Sequence, residues 1–240
     1  ICEIKSAIKE GKFDNSFSML YGDVESARER YLKACESFEE IYSESGEIRL
    51  FTAPGRTEVG GNHTDHQHGS VLAGSVNLDV IAIVSLNDDG YIRIKSEGYD
   101  MDTVKVGEFA KADGEEGRAI SLIRGVCSRF AEMGCDIKGF NAYTTSNVLK
   151  GSGLSSSAAF EVLVGNILNG LFDGKASPIE IAKIGQYAER DYFGKPCGLL
   201  DQMASSLGGF TYADFANPAD ELMGLMLVIA IDAANCSNGD

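Results

Sequence analysis

A short loop rich in glycine and serine, which runs directly into an apolar helical pattern, constrains this chain more than any other stretch. It reads Val-Leu-Lys-Gly-Ser-Gly-Leu-Ser-Ser-Ser-Ala-Ala-Phe-Glu-Val over residues 148–162. Glycine lets backbone amides approach a ligand closely, and a helix N-terminus carries unpaired N–H groups and a partial positive charge. The stretch is therefore either a phosphate-binding loop or a Gly/Ser turn that caps a buried helix. For Gly/Ser runs in general, the turn is the commoner case.

The composition and charge indicate which classes of binding partner are not expected. The 240 residues carry a formal net charge of −15, which leaves no basic surface for nucleic acid or for an anionic membrane. No apolar run approaches the ~18 residues of a membrane span, so we expect neither kind of partner. None of the six cysteines falls in a C-x-x-C pair, and a chain of this length can build its own core. This usage favours reduced thiols in the cytoplasm.

Hydrophobic periodicity predicts an α+β order of elements. Helices are predicted at about 23–42, at 121–133, from the Gly/Ser loop to about 171, and from a capping box at Ser177–Glu180 to Gly194. Strands are predicted at 48–53, 71–86, 91–95, 103–106, 139–145 and 225–231. Residues 1–21 show only weak patterning. Because strands come first and helices then lie between strands, the pattern favours an α+β fold.

All three histidines of the chain lie within a polar segment, residues 54–70. One interpretation is a metal site formed by His63, Asp65, His66 and His68, in the manner of a metallohydrolase. Another is a segment that binds a polyhydroxylated ligand such as a sugar through carboxylate, amide, imidazole and backbone groups. The third is a solvated turn, and the residue types alone leave all three open.

A third stretch, Cys197–Met203, places Asp201 beside Gln202. The aspartate is either a helix N-cap or a carboxylate that points into a cleft and acts as a general base. Glu189, twelve residues earlier, falls on a predicted helix and would on its own be taken for a solvated glutamate.

These stretches occur together in one order: Pro54-Gly-Arg56, Gly61-Asn-His-Thr-Asp65, Lys150-Gly-Ser-Gly-Leu-Ser-Ser-Ser-Ala-Ala159 and Cys197-Gly-Leu-Leu-Asp-Gln202. In combination they strongly resemble the galactokinases of the GHMP small-molecule kinase superfamily, from about residue 23 to 232. The resemblance covers only the N-terminal half of a typical member. It implies a GHMP kinase N-terminal domain, like domain 2 of ribosomal protein S5, with a mixed, mostly antiparallel sheet and helices on one side.

The implied organisation is a single domain over residues 1–240. Within it, an N-terminal helix and galactose-binding segment span about 23–75, and an ATP-binding segment spans about 120–215. The implied activity is the ATP- and Mg²⁺-dependent phosphorylation of galactose, or of a related sugar, at the C1 hydroxyl by the full-length protein.

The resemblance also implies roles for individual residues. Asp201 matches the carboxylate usually assigned as general base, and Arg56 matches the arginine beside the reacting sugar hydroxyl and the transferred phosphate. The implied ATP-phosphate loop comprises Gly151, Ser152, Gly153, Leu154, Ser155, Ser156, Ser157 and Ala158. The implied sugar-binding residues are Asn62, His63, Asp65 and Gly198. Ser157 and Glu189 match the two residues associated with magnesium.

Two other functions remain as alternatives. One is a non-catalytic galactose/ATP sensor. The presence of Asp201 and Arg56, the residues matched to catalytic roles, makes this alternative less favoured. The other is the metallohydrolase, which becomes the weaker interpretation once a sugar-binding segment explains His63 and Asp65. His66 and His68 then have no defined role.

Two departures from the family pattern generate expectations. Asn62 stands where galactokinases usually carry Glu, which predicts an altered sugar preference. The glycine-rich motif of the family's C-terminal half does not occur in these 240 residues. We therefore expect the chain alone to fold, to have little or no kinase activity, and to self-associate through the apolar face on which that half would dock.

Overall fold

The computed structural model describes residues 1–43, 46–62, 64, 69–149, 151–215 and 229–231. The helices are α1 (Cys2–Lys9), α2 (Asp14–Tyr21), α3 (Val24–Tyr42), α4 (Ala119–Glu132), α5 (Ser156–Phe172), α6 (Pro178–Tyr187) and α7 (Leu200–Leu207). A π-helical turn, Ala188–Phe193, continues α6. The strands are β1 (Ile48–Gly60), β2 (Ser70–Leu86), β3 (Tyr91–Ser96), β4 (Met101–Lys105), β5 (Phe140–Ser146), β6 (Phe210–Asp214) and β7 (Ile229–Ile231).

The long strand β2 organises one mixed sheet. β1 pairs antiparallel with nearly the whole of one edge of β2. The opposite edge is shared by β5, which pairs with residues 80–86, and by β6, which pairs with residues 70–74. Among the described strands only β3 and β5 are parallel neighbours, while β4 and β7 extend the sheet antiparallel at its two ends. The predicted α+β fold with a mixed, mostly antiparallel sheet is confirmed.

The edge of β2 changes its partner across Ser75–Asp79, between the β5 and β6 pairings. At one end of this stretch the backbone N–H of Asn147, in the loop that leaves β5, donates to the Asp79 carbonyl at 2.9 Å. At the other end the Ser75 N–H donates to the Gly209 carbonyl, just before β6, also at 2.9 Å. On the facing strand the register of β1 shifts between Pro54 and Arg56. The loop after β5, the helix before β6 and Arg56 therefore meet at one place.

Side chains of β2 alternate between two apolar cores, one on each face of the sheet. Val80, Ala82 and Val84 pack in the larger core with α4, α5 and α6. Ile81 and Ile83 pack in a second core with α1, α2 and α3. The expectation that helices lie on one side of the sheet is therefore incomplete, because the three N-terminal helices cover the other face. The weakly patterned residues 1–21 form two helices of only eight residues each, too short to show a clear period.

Several strands begin or end at residues other than the predicted ones. The predicted strand at 48–53 continues to Gly60, so the first part of the polar segment is a strand, and its proline lies beside the register shift. The strand predicted at 103–106 is β4, which begins two residues earlier than predicted and ends one residue earlier. The capping box at Ser177 and Glu180 is confirmed, with both reciprocal bonds present. Most of the predicted strand at 225–231 lies outside the described residues, which include only β7 of it.

A buried carboxylate fastens the N-terminal helices to the sheet. Asp79 of β2, 4% exposed, accepts hydrogen bonds from Arg30 of α3, Tyr21 of α2 and Thr52 of β1. Arg30 also donates to the carbonyls of Asp79 and Thr145, at 3.0 and 3.3 Å. When one partner of such a buried pair is removed, the other charge is left uncompensated. The resulting loss of folding stability exceeds the net contribution of the intact pair.

We predict that Asp79→Ala lowers the free energy of unfolding by about 3–5 kcal/mol, because it leaves the Arg30 guanidinium without its counter-charge. Urea titration followed by circular dichroism measures the change. Asp88→Ala, in the exposed hairpin turn, is the control, and we expect a change of at most about 0.5 kcal/mol. Equal effects of the two substitutions would contradict the structural role of Asp79.

Candidate active site

Arg56 on β1 is held against the Gly/Ser loop by a close approach of two backbones. A Cβ atom at Gly55 would lie 2.9 Å from the carbonyl oxygen of Leu154, so glycine is required there. The Arg56 N–H donates to that same Leu154 carbonyl at 3.0 Å. The Arg56 side chain donates to the carbonyl of Gly153 and is only 5% exposed. Strand β1 and the loop thus form one unit around a buried guanidinium.

The same guanidinium forms an ion pair with Asp201. Arg56 Nε lies 2.6 Å from Asp201 Oδ1, and the hydroxyl of Ser155 donates to Asp201 Oδ2 at 2.6 Å. Both carboxylate oxygens therefore accept bonds from groups that the sequence analysis assigned to the phosphate loop or to catalysis. The Asp201 side chain remains 28% exposed, so one side of this carboxylate is open to a ligand.

Helix α7 positions Asp201 in its first turn. The helix docks on β1 through Ser205, whose hydroxyl donates to the Pro54 carbonyl at 2.6 Å. Leu200 and Ala204 on the same helix are fully buried against β2 and β6. Gly198 lies in the irregular segment just before the helix, two residues after Pro196. The aspartate is thus not the helix cap, since residue 199 occupies the cap position.

The Gly/Ser loop leaves the amino end of α5 open for an anion. Gly151 and Gly153 adopt positive φ angles of 80° and 78°, which favour glycine. Ser155, the N-cap of α5, also has a positive φ of 55°, and its side chain bonds Asp201 instead of a helix amide. The first-turn amides at 156–158 therefore have no capping side chain and suit a phosphate. This geometry favours the phosphate-loop interpretation over the turn that merely caps a helix.

Ser157 and Glu189, the two residues that the resemblance associates with magnesium, lie in contact. Ser157 Oγ donates to Glu189 Oε1 at 3.0 Å, and Lys195 Nζ donates to the same oxygen at 2.9 Å. The Glu189 side chain is buried in the π-helical turn, and its hydrogen bond raises the pKa of Lys195. A hydroxyl and a carboxylate are hard oxygen ligands, and Mg²⁺ commonly binds one or two protein carboxylates together with substrate phosphates and water. The donor set fits Mg²⁺.

The sequence analysis gave no role to two further polar residues of the site. Gln202, beside Asp201, and Glu161 of α5 are both fully buried, and Gln202 contacts Glu189. A signal for Glu161 was present: it interrupts an otherwise apolar helix pattern four residues after Ser157.

The structure brings together most of the predicted residues but not all of them. Arg56, Asp201, Glu189 and the described loop residues 151–158 form one cluster. Asn62 is exposed in the turn that follows β1, with a φ of 51°. The other segment residues predicted to bind sugar or metal lie outside the described residues, and those predictions stay untested: His63, Asp65, His66 and His68.

Three further observations concern the part of the chain that the structure describes. In that part, no helix is both long enough and apolar enough to cross a bilayer. The described cysteines form no disulfide, and among the same residues no group of three or more His, Cys, Asp or Glu side chains is arranged to hold a metal.

Sequence comparison relates the chain to known kinases. Residues 121–209 match the GHMP kinases N terminal domain, and residues 36–86 match the galactokinase galactose-binding signature. The chain is 34% identical to a galactokinase of Lacticaseibacillus casei over 174 residues, which cover 72% of this chain and 45% of that protein. It is 31% identical to a galactokinase of Bacillus subtilis over 205 residues, which cover 80% of this chain and 52% of that protein. The chain thus spans about half the length of these relatives.

Structural comparison leads to the same family. The crystal structure of Lactococcus lactis galactokinase complexed with galactose matches with a TM-score of 0.73 and 28% identity, over 82% of this chain and 50% of that one. A D-glycero-D-manno-heptose 1-phosphate kinase matches with a TM-score of 0.63 at 23% identity, which shows a shared fold. Both family models fall on the segments that build the Arg56–Asp201 cluster. By sequence and by structure the chain is thus similar to galactokinases over about half of their length, and residues 121–209 match the N-terminal domain of the GHMP kinases.

Proposed function

We propose that the full-length protein transfers the γ-phosphoryl group of ATP to the C1 hydroxyl of galactose. The observation that carries this proposal is the Arg56–Asp201 ion pair, which lies against Gly153 and Ser155 of the phosphate loop. A carboxylate for the acceptor hydroxyl and a cation for the transferred phosphate are thereby adjacent. The galactose part rests on the signature at residues 36–86 and on galactokinase relatives, one of which was solved with galactose.

Phosphoryl transfer needs positioning and charge neutralisation more than covalent chemistry. Asp201 orients the sugar hydroxyl and accepts its proton as the oxygen attacks the γ-phosphorus. Arg56 balances charge on Asp201 and on the transferred group. The amides at the start of α5 bind the triphosphate. Ser157 and Glu189 would hold Mg²⁺, which when bound neutralises phosphate charge.

Ser155 couples the two halves of this arrangement. Its hydroxyl donates to Asp201 Oδ2, while Arg56 already occupies Oδ1. A sugar hydroxyl that approaches Asp201 therefore has to share or replace the Ser155 bond. Phosphate bound at the loop offers the Ser155 hydroxyl another acceptor, which would favour nucleotide and sugar binding together.

We predict that Asp201→Asn lowers kcat about 10²–10⁴-fold in the full-length protein, because an amide accepts no proton at neutral pH. A coupled assay of ADP release with ATP, Mg²⁺ and galactose measures the effect. Asp113→Asn is the matched control, since this aspartate is exposed in the acidic segment before α4, and it should leave kcat unchanged.

Two outcomes would count against the proposal. Undiminished turnover by Asp201→Asn would remove the assigned base. Binding of galactose and ATP by the wild-type protein without turnover would instead support the sensor.

We also predict that Asn62 alters the sugar preference. Galactokinases usually carry Glu at this position, and the amide removes a negative charge while adding donors. A panel of galactose, its epimers and its deoxy and amino derivatives, compared by kcat/KM between wild type and Asn62→Glu, should show the variant shifted towards galactose. An unchanged ranking would show that Asn62 does not select the sugar.

Residues 1–240 alone should release little or no ADP with galactose and ATP, since they span about half the length of the galactokinases they match. Size-exclusion chromatography of the same polypeptide should show self-association through the apolar face expected above. Turnover comparable to that of the full-length protein would overturn this expectation.

A further inference from the structure

Behind the Ser157–Glu189 contact lies a buried group that the proposed reaction does not use. Glu161 of α5 and Gln202 of α7 are 1% and 0% exposed. Gln202 Nε2 donates to Glu161 Oε2 and to Glu189 Oε2, in each case at 2.9 Å. One amide thus bridges two carboxyl groups, both buried, and one of them contacts Ser157 through its other oxygen.

Two atoms of this cluster bear on its protonation. Glu161 Oε1 and Gln202 Oε1 are both buried, and neither has a hydrogen-bond partner among the described residues. Two buried acceptors without a donor are costly, but a carboxylic acid places a donor on one of them. An O–H on Glu161 Oε1 that donates to Gln202 Oε1 would pair both atoms and close a ring with the existing N–H bond from Gln202 to Glu161. A single proton would then account for both unpaired atoms.

The charges around Glu161 favour the same state. Burial raises the pKa of Glu161 well above its usual range, and the nearby Glu189 carboxylate raises it further. The groups that face it are Ser157 on its own helix, Glu189 on the π-helical turn, Lys195 and Cys197 on the following segment, and Asp201 with Gln202 on α7. Lys195, the cation of this set, bonds Glu189 instead.

Helix α6 closes the cluster from the remaining side. A Cβ atom at Gly185 would lie 3.2 Å from Gln202 Cγ and 3.3 Å from Glu161 Oε2, so the helix backbone packs directly on the pair. The two side chains are therefore fixed in place, and the second N–H of Gln202 points at Glu189.

We propose that Glu161 and Gln202 form a neutral acid–amide pair that holds the Glu189 carboxylate against Ser157, which makes Glu161 a positioning residue for the nucleotide-bound metal. This inference rests on the proposed kinase function for its purpose, but the pair itself does not depend on which sugar is phosphorylated. Partners of this kind, one layer behind a metal ligand, commonly change metal affinity or activity 10–100-fold when altered.

Two substitutions at Glu161 separate the neutral pair from an ionised carboxylate. Glu161→Gln keeps the ring, because the new amide donates to Gln202 Oε1 and accepts from its N–H. Glu161→Leu removes both bonds and frees Gln202 to turn away from Glu189. The exposed Glu29→Gln on α3 is the control for loss of a carboxyl group.

The first measurement is Mn²⁺ binding by electron paramagnetic resonance, on the full-length protein with a non-hydrolysable ATP analogue. We expect Glu161→Gln and Glu29→Gln to stay within about twofold of wild type and Glu161→Leu to bind about 10-fold more weakly. In the kinase assay, the Mg²⁺ concentration that gives the half-maximal rate should be higher for Glu161→Leu than for wild type, while the KM for the sugar stays constant. Weakening by Glu161→Gln as large as by Glu161→Leu, or no weakening by Glu161→Leu, would overturn the proposal.

The second measurement is infrared difference spectroscopy between wild type and Glu161→Gln at neutral pH. We expect wild type to show the C=O stretch of a protonated carboxyl group that the variant lacks, and its absence would refute the neutral pair. This readout and the Mn²⁺ titration need no turnover, so they stand even if galactose proves not to be the substrate. They also decide the matter if Glu161→Leu fails to fold, because Glu161→Gln preserves the buried bonds.

Discussion

The ion pair between Arg56 and Asp201 is the constraint around which the rest of the site is arranged. It joins residues 145 positions apart and links β1 with α7. The guanidinium is nearly buried, so its charge requires a fixed partner and a carbonyl to accept its remaining donors. Gly153 supplies that carbonyl, which ties the loop to the pair. Strand, loop and helix are thereby held in one relative placement before any ligand arrives.

The sheet makes this placement possible through the change of partner along β2. A strand that paired with one neighbour along its whole edge would leave no room for a loop beside it. Here the loop begins where β5 ends, and β6 starts shortly after α7 ends. The segment after β5 and the residue before β6 each form a backbone hydrogen bond with one end of the β2 stretch at 75–79. The buried Asp79 lies at the end of the same stretch and fastens the opposite layer of helices. One irregularity in the sheet thus serves the site on one face and stability on the other.

The sequence predicted the fold class, and it singled out residues of the candidate site that the structure brings together, because the relevant signals are local. Glycine and serine before an apolar helix predict a loop that leads into α5, and the capping box predicts where α6 begins. The continuation of β1 through Pro54 was missed, since proline usually ends a central strand and the register shift that tolerates it depends on β2. Helices α1 and α2 were missed, as was the position of α3 on the second face of the sheet, because their apolar residues are explained only by packing against Ile81 and Ile83. The pairing of Glu161 with Gln202 could not be predicted either, because the two residues are 41 positions apart in sequence and lie on different helices.

Ser155 illustrates a local conflict that function explains. A serine at a helix start usually satisfies a backbone amide, and a non-glycine residue with a left-handed backbone costs about 1–3 kcal/mol. Ser155 has the left-handed backbone without the usual compensation, since its hydroxyl serves Asp201. The start of α5 thus keeps an unfavourable backbone conformation that its own side chain does not offset. Proteins retain such conformations mainly at functional sites, which supports the anion-binding role proposed for this helix end.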